Sequence, residues 1–146
     1  MTRTFDIRPD RCFAVWFTLY LSVTRKAMNA HIGEWSRKTG NPVDHDAITA
    51  GLVHATSIRQ FQPEGKRQWY SDYFATMFLN DEDLRKNRAE IIAHEALHCA
   101  LAHERFVQHF SMDYLSSTDM EHEERLCYTH GRIVAGIYQT LRKAHA

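Results

Sequence analysis

The residues best suited to chemistry lie together in the segment His94-Glu95-Ala96-Leu97-His98. On a helix, His94 and His98 are four residues apart and share one face, so both can direct a ring nitrogen at the same metal ion. Glu95 is one residue round the helix, where it can reach a water bound to that ion. Zinc lowers the pKa of such a water toward neutrality, and Glu95 can then take its proton. The segment predicts a zinc site with two histidine ligands and a glutamate general base.

A catalytic zinc needs a third protein ligand, and the acidic start of the last predicted helix offers the best candidates. We expect Glu124 to be this ligand, because Tyr128 follows four residues later and could hydrogen-bond a liganding group. Gly131 and Ala135 continue the same helical spacing with small residues that permit close approach of another helix. Glu123 is the competing candidate. The alternative interpretation is that these acids only complement the helix dipole.

The first half of the chain is predicted to consist mainly of strands. Apolar residues alternate from Phe13 to Val23, which is typical of a half-buried strand. A helix is expected over Arg25–Lys38, then a second strand within Ala47–Ile58 and a third over Trp69–Leu79. These three strands are expected to form an antiparallel sheet, with the second and third paired as a hairpin.

Two helices are expected in the second half. Asn87 could cap the first of them, with Glu90 as its capping-box partner, and this helix would run from Arg88 to about Val107. A loop, Ser111–Asp119, leads to the last helix, roughly Met120–Lys143. Strands followed by helices indicate an α+β fold. We therefore expect one domain over residues 1–146, with a three-stranded antiparallel sheet, an active-site helix and a C-terminal helix.

Charge and cysteine content narrow the class of protein. The chain has 146 residues, and 18 Lys and Arg balance 18 Asp and Glu, which argues against a nucleic-acid partner and an anionic membrane surface. Three separated cysteines, Cys12, Cys99 and Cys127, suggest free thiols in a reducing compartment. The apolar run Cys12–Val23 is too short to span a bilayer. These features predict a cytoplasmic protein.

The motifs resemble those of the gluzincin-type zinc peptidases. Within that group the chain looks like the small metallopeptidases of phages and mobile elements, of which the ImmA/IrrE family is the best known. The likeness lies in three predicted strands, the segment Ile91–His98, and a Glu-Glu-x-x-x-Tyr-x-x-Gly pattern over Glu123–Gly131. The glutamate-alanine-asparagine sequence usual in the last helix of that family is absent. The resemblance implies zinc, a site of two histidines and one glutamate, and hydrolysis of a peptide bond.

The expected function is therefore that of a zinc-dependent hydrolase acting on a protein or peptide. Tyr114, Tyr128 or His130 could stabilise the oxyanion, and the strand Trp69–Leu79 could bind a peptide by strand addition. Cys99 is expected to pack as a small apolar residue. One alternative is a partner-binding protein of a phage or mobile element, in which zinc is structural or lost. Another is a metal-dependent hydrolase or nuclease with a non-peptide substrate. The substrate and the oligomeric state stay open.

Overall fold

The structure is a computed structural model that describes residues 2–9, 16–43, 50–55, 59–60, 69–70, 73–110 and 118–145. Its elements in chain order are β1 (Thr2–Ile7), β2 (Trp16–Ser22), α1 (Arg25–Thr39), β3 (Gly51–Ala55), β4 (Arg59–Gln60), β5 (Trp69–Tyr70), β6 (Tyr73–Asn80), α2 (Asp81–Phe110) and α3 (Asp119–Ala144). The α+β class is confirmed. In the described part of the chain, no helix is long and apolar enough to cross a membrane.

The main sheet differs from the expected one. It has four strands in the order β1-β2-β6-β3, and β4 and β5 form a separate antiparallel pair. The predicted antiparallel pairing of the second and third strands occurs between β3 and β6, but β2 and β6 are parallel. The prediction of a three-stranded antiparallel sheet is therefore wrong. Alternation of apolar residues indicates which face of a strand is buried, but it carries no information on strand direction.

The fourth strand, β1, was not predicted. It pairs antiparallel with β2 along its whole length, from Thr2 opposite Ser22 to Ile7 opposite Phe17. Its burial is partial, and Ile7 is its one buried residue. A short edge strand with arginine and aspartate among its residues gives a weak hydrophobic signal, because only one side of it faces the core.

Helices cover both faces of the sheet. α1 packs on one face through Met28, Ile32 and Trp35, which contact Phe78 of β6. α2 and α3 pack on the other face in the larger core cluster. The central strand β6 is buried from Phe74 to Asn80, since it has a strand on each side and helices above and below.

Local signals set the ends of the helices. Thr24 caps α1, and Gly40 ends it with a φ of 73°, a left-handed conformation that glycine adopts without strain. α2 starts at Asp81, before the expected Arg88, and Asn87 interrupts it as a kink with a φ of −142°. Thr118 caps α3 in a capping box with Glu121, close to the predicted start.

Candidate functional site

The segment with the two histidines lies on α2, on the side of the helix away from the core. Ile92, Ala96 and Cys99 are fully buried beneath the sheet, whereas His94 and His98 are exposed. This division follows from the helical repeat, because the buried residues lie roughly on the opposite side of the helix from the two histidines. The local fold thus presents both imidazoles to solvent in neighbouring turns.

The two imidazoles converge. The Nε2 atoms of His94 and His98 are 3.2 Å apart, and the rings are edge-on with centroids 4.8 Å apart. Two imidazole nitrogens bound to one tetrahedral zinc lie about 3.3 Å apart, given Zn–N bonds of about 2.05 Å. The pair therefore fits two ligands of one zinc ion. A hydrogen bond between the two rings accounts for the same distance.

Glu95 lies beside this pair but is buried. Its side chain is 8% exposed, and its Oε1 is 4.0 Å from His94 Nε2. Burial raises the pKa of the Glu95 carboxyl above its ordinary value, and the neighbouring His94 lowers it in part. A carboxylate with a raised pKa is better matched to taking up a proton near neutral pH.

A cleft of about 350 Å³ extends from these residues along the first half of α2. It is bordered by Ala50, just before β3, and by residues of α1 and α2: Arg25, Asp83, Lys86, Asn87, Glu90, Ile91, His94 and Glu95. At its far end Arg25 donates two hydrogen bonds to Asp83, at 2.8 and 2.7 Å. Asn80 also donates to Asp83 at 2.9 Å and caps the first turn of α2 by accepting from the Asp83 backbone N–H. This pairing fixes α2 to α1 at the end of the cleft.

The cleft reaches the sheet at Ala50, just before β3, and none of its described lining residues belongs to the strand that was predicted to bind a peptide. Most of the predicted strand Trp69–Leu79 is β6, which has β2 on one side and β3 on the other. Both edges of β6 are therefore occupied, which leaves no free edge for strand addition along that part of the predicted strand. β3 ends the described sheet, and Gly51 at its start approaches Glu95 closely.

The structure does not bring Glu124 to the histidine pair. α3 turns Thr129, Ile133 and Ile137 inward, and all three are buried. Glu124 is nine residues before Ile133, which at about 100° per residue puts it on the opposite face of the helix. There it lines a shallow surface pocket formed by α3 residues alone: Glu124, Cys127, Tyr128, Gly131, Arg132 and Ala135.

The competing ligand Glu123 is also exposed. In the described part of the chain, no three His, Cys, Asp or Glu side chains are grouped to hold a metal ion. The assignment of Glu124 or Glu123 as third ligand therefore stays a prediction, and so does the zinc site itself.

α3 contributes a histidine to this side of α2. The His130 Nε2–H donates to the carbonyl of Ala93, the residue before His94, at 3.2 Å. Further along, Arg125 pairs with Glu104 at 2.8 Å, so α3 runs antiparallel to α2. The Nε2–H of His130 is therefore bonded to the backbone one residue before His94.

The other residues named from the sequence have separate positions. Tyr128 is 66% exposed on the outer face of α3. Tyr114 and residues 111–117 of the expected loop Ser111–Asp119 lie outside the described residues. Cys99 is fully buried, as expected, and burial raises the pKa of its thiol well above the ordinary value. Cys127 is exposed and free.

Sequence reasoning missed two features of the site. One is the Arg25–Asp83 pair, which joins two helices far apart in sequence and leaves no local pattern. The other is Gly51, for which a signal existed, since a glycine within a strand often marks close approach of other atoms. No family model, curated protein or solved structure matches this chain, so its assignment depends on this geometry alone.

Proposed function

We propose that this chain is a zinc-dependent hydrolase that cleaves peptide bonds. The observation that carries the proposal is the pair of Nε2 atoms of His94 and His98, 3.2 Å apart on an exposed helix face, beside the buried carboxylate of Glu95. A glutamate in that position can take a proton from a water bound at the histidine pair.

The histidines and Glu95 have different roles in the proposed reaction. His94 and His98 would hold the zinc ion through Nε2. When bound, zinc lowers the pKa of a water ligand and polarises a substrate carbonyl. Glu95 takes the proton from the attacking water and passes it to the leaving amine. His130, whose Nε2–H donates to the Ala93 carbonyl, holds α3 against the helix that carries both histidines.

The substrate class is inferred from the cleft and from β3. The cleft follows α2 from Asp83 to Glu95, about 18 Å at 1.5 Å per residue, which is long enough for several extended residues. Ala50 of its lining immediately precedes β3, the last strand of the described sheet, and we infer that an extended chain adds to β3 by backbone hydrogen bonds. The lining has two basic residues, Arg25 and Lys86, and three acidic ones, Asp83, Glu90 and Glu95, so no strong charge preference is expected.

A second candidate function is a partner-binding protein on the same scaffold, without catalysis. The observation that favours it is that no third donor joins His94 and His98 in the described part of the chain. In that case the two rings share a hydrogen bond and Glu95 has no proton to move.

Metal analysis separates the two functions. We expect one zinc per chain in wild-type protein purified without added metal, and loss of zinc in His94→Ala and in His98→Ala. Glu95→Gln should keep the zinc and lose peptide hydrolysis, because it keeps the shape of the side chain but cannot accept a proton. His145→Ala, which removes an exposed histidine at the end of α3, is the control and should keep full zinc.

The same measurement on Glu124→Ala and Glu123→Ala names the third ligand. Loss of zinc with one glutamate only would identify that glutamate as the third ligand. If both variants keep their zinc, neither glutamate is the third ligand. If wild-type protein stays free of zinc after reconstitution, the hydrolase proposal is refuted and the partner-binding function is left.

A further inference from the structure

Gly51, the first residue of β3, lies directly against the side chain of Glu95. A Cβ atom built at Gly51 would be 2.9 Å from Glu95 Cγ, 3.2 Å from Glu95 Cδ and 3.0 Å from Leu79 Cδ2. Carbon atoms in ordinary contact are about 3.5–4.0 Å apart. Among the described glycines only Gly40 has a positive φ, so glycine is needed at position 51 for space and not for backbone conformation.

Glu95 cannot easily yield to a side chain at this position. Its own side chain is 8% exposed and lies between α2 and the start of β3. The closest atom is Cγ, near the root of the side chain, so relief of the contact requires a change in χ1. Such a rotation moves the carboxylate further than it moves Cγ, and it would carry the carboxylate away from its place 4.0 Å from His94 Nε2.

We propose that Gly51 is a positioning residue for Glu95. Because it has no side chain, β3 lies against Glu95 and holds the carboxylate in the cleft beside His94. The steric part of this inference is independent of metal and catalysis. Its consequence for turnover rests on the proposed function.

The steric contact is tested by a double-mutant cycle on stability. Gly51→Ala is made in wild type, in Glu95→Gln and in Glu95→Ala, and urea midpoints are measured on the metal-free chain. We expect Gly51→Ala to lower the midpoint equally in wild type and Glu95→Gln, since both side chains have the same Cγ and Cδ. The shift should be clearly smaller in Glu95→Ala, because only the Leu79 contact is left. Equal shifts in all three backgrounds would overturn the proposal.

The positioning role is tested on the metal-loaded chain with Co²⁺ in place of zinc. Gly51→Ala should bind one Co²⁺ per chain and change its visible spectrum in the same direction as Glu95→Gln. Gly131→Ala is the matched control, since no atom lies within 4 Å of a Cβ built there, and its spectrum should equal that of wild type. A wild-type spectrum for Gly51→Ala would refute the role.

Steady-state kinetics separate an effect on kcat from an effect on KM. With labelled casein as substrate, Gly51→Ala should lower kcat about 100-fold, the effect of a displacement of about 1 Å in a reacting group, and leave KM nearly unchanged. A rise in KM alone would assign Gly51 to substrate binding instead. Failure of wild-type protein to bind Co²⁺ or zinc would refute the proposed function, while the stability cycle would still decide the contact with Glu95.

Discussion

The orientation of α3 decides which donors can reach the histidine pair, and two glycines on this helix test it. Gly131 lies on the outer face, where a Cβ would meet no atom within 4 Å. Gly136 lies toward the sheet, where a Cβ would be 2.8 Å from Cγ2 of Ile7 in β1. Each glycine is inside the helix, so alanine at either position gains about 1 kcal/mol of helix propensity.

The difference between the two variants isolates the steric cost. Gly131→Ala should stabilise the chain by about 0.5–1 kcal/mol. Gly136→Ala gains the same propensity but must displace Ile7, which is buried and branched at Cβ, and such overpacking costs about 1–3 kcal/mol. The propensity terms cancel, so the free energies of unfolding should differ by about 1–3 kcal/mol. For a chain of this size that is a difference of about 3–9 °C in Tm.

The assay is urea or thermal unfolding of both variants beside wild type, followed by far-UV circular dichroism. If Gly136→Ala is as stable as Gly131→Ala, or if the order is reversed, α3 does not present Gly136 to β1. The orientation of α3 that buries Ile133 would then be wrong. The placement of Glu124 on the outer face, which depends on that orientation, would be wrong as well.

Two further predictions follow from buried groups. Asp83→Asn should destabilise the chain at pH 7, because the hydrogen bonds from Arg25 hold the pKa of Asp83 below its ordinary value of 3.8. This stabilisation is fully present above the unfolded pKa and is lost as the pH falls through the lower folded pKa, so the difference from wild type in urea midpoint should shrink below about pH 4. A difference that grew with acid would contradict the ion pair. For the thiols, Cys127 should react with iodoacetamide in the native protein, whereas Cys99 should react only on unfolding, because it is buried and its thiol pKa is raised. Peptide mass spectrometry reads both positions, and rapid native labelling of Cys99 would refute the packing of α2.

Much of the helical structure could be predicted because its signals are local. Met28, Ile32 and Trp35 share one face of α1 by their spacing alone, and all three are buried. The expected start of α3 near Met120 is close to the observed one, where Thr118 and Glu121 form a capping box. These features depend on residues within one or two turns of each other.

The sheet could be predicted only in part, because strand direction and order depend on contacts distant in sequence. The pairing of β3 with β6 was expected, but the parallel pairing of β2 with β6 was not. β1 was missed because an edge strand needs few apolar residues. β1 is a strand because it forms backbone hydrogen bonds with β2, a partner that its own residues do not reveal.

The candidate site also combines features set by local sequence with features set by distant contacts. The sequence by itself determined that His94 and His98 share a helix face with Glu95 beside them, because a spacing of four residues and the helical repeat are enough for that. Only the tertiary structure decided that Gly51 lies against Glu95 and that α3 turns Glu124 away from the histidine pair. The rotation of a helix and the approach of a strand are set by core packing over the whole chain, and no short segment contains that information.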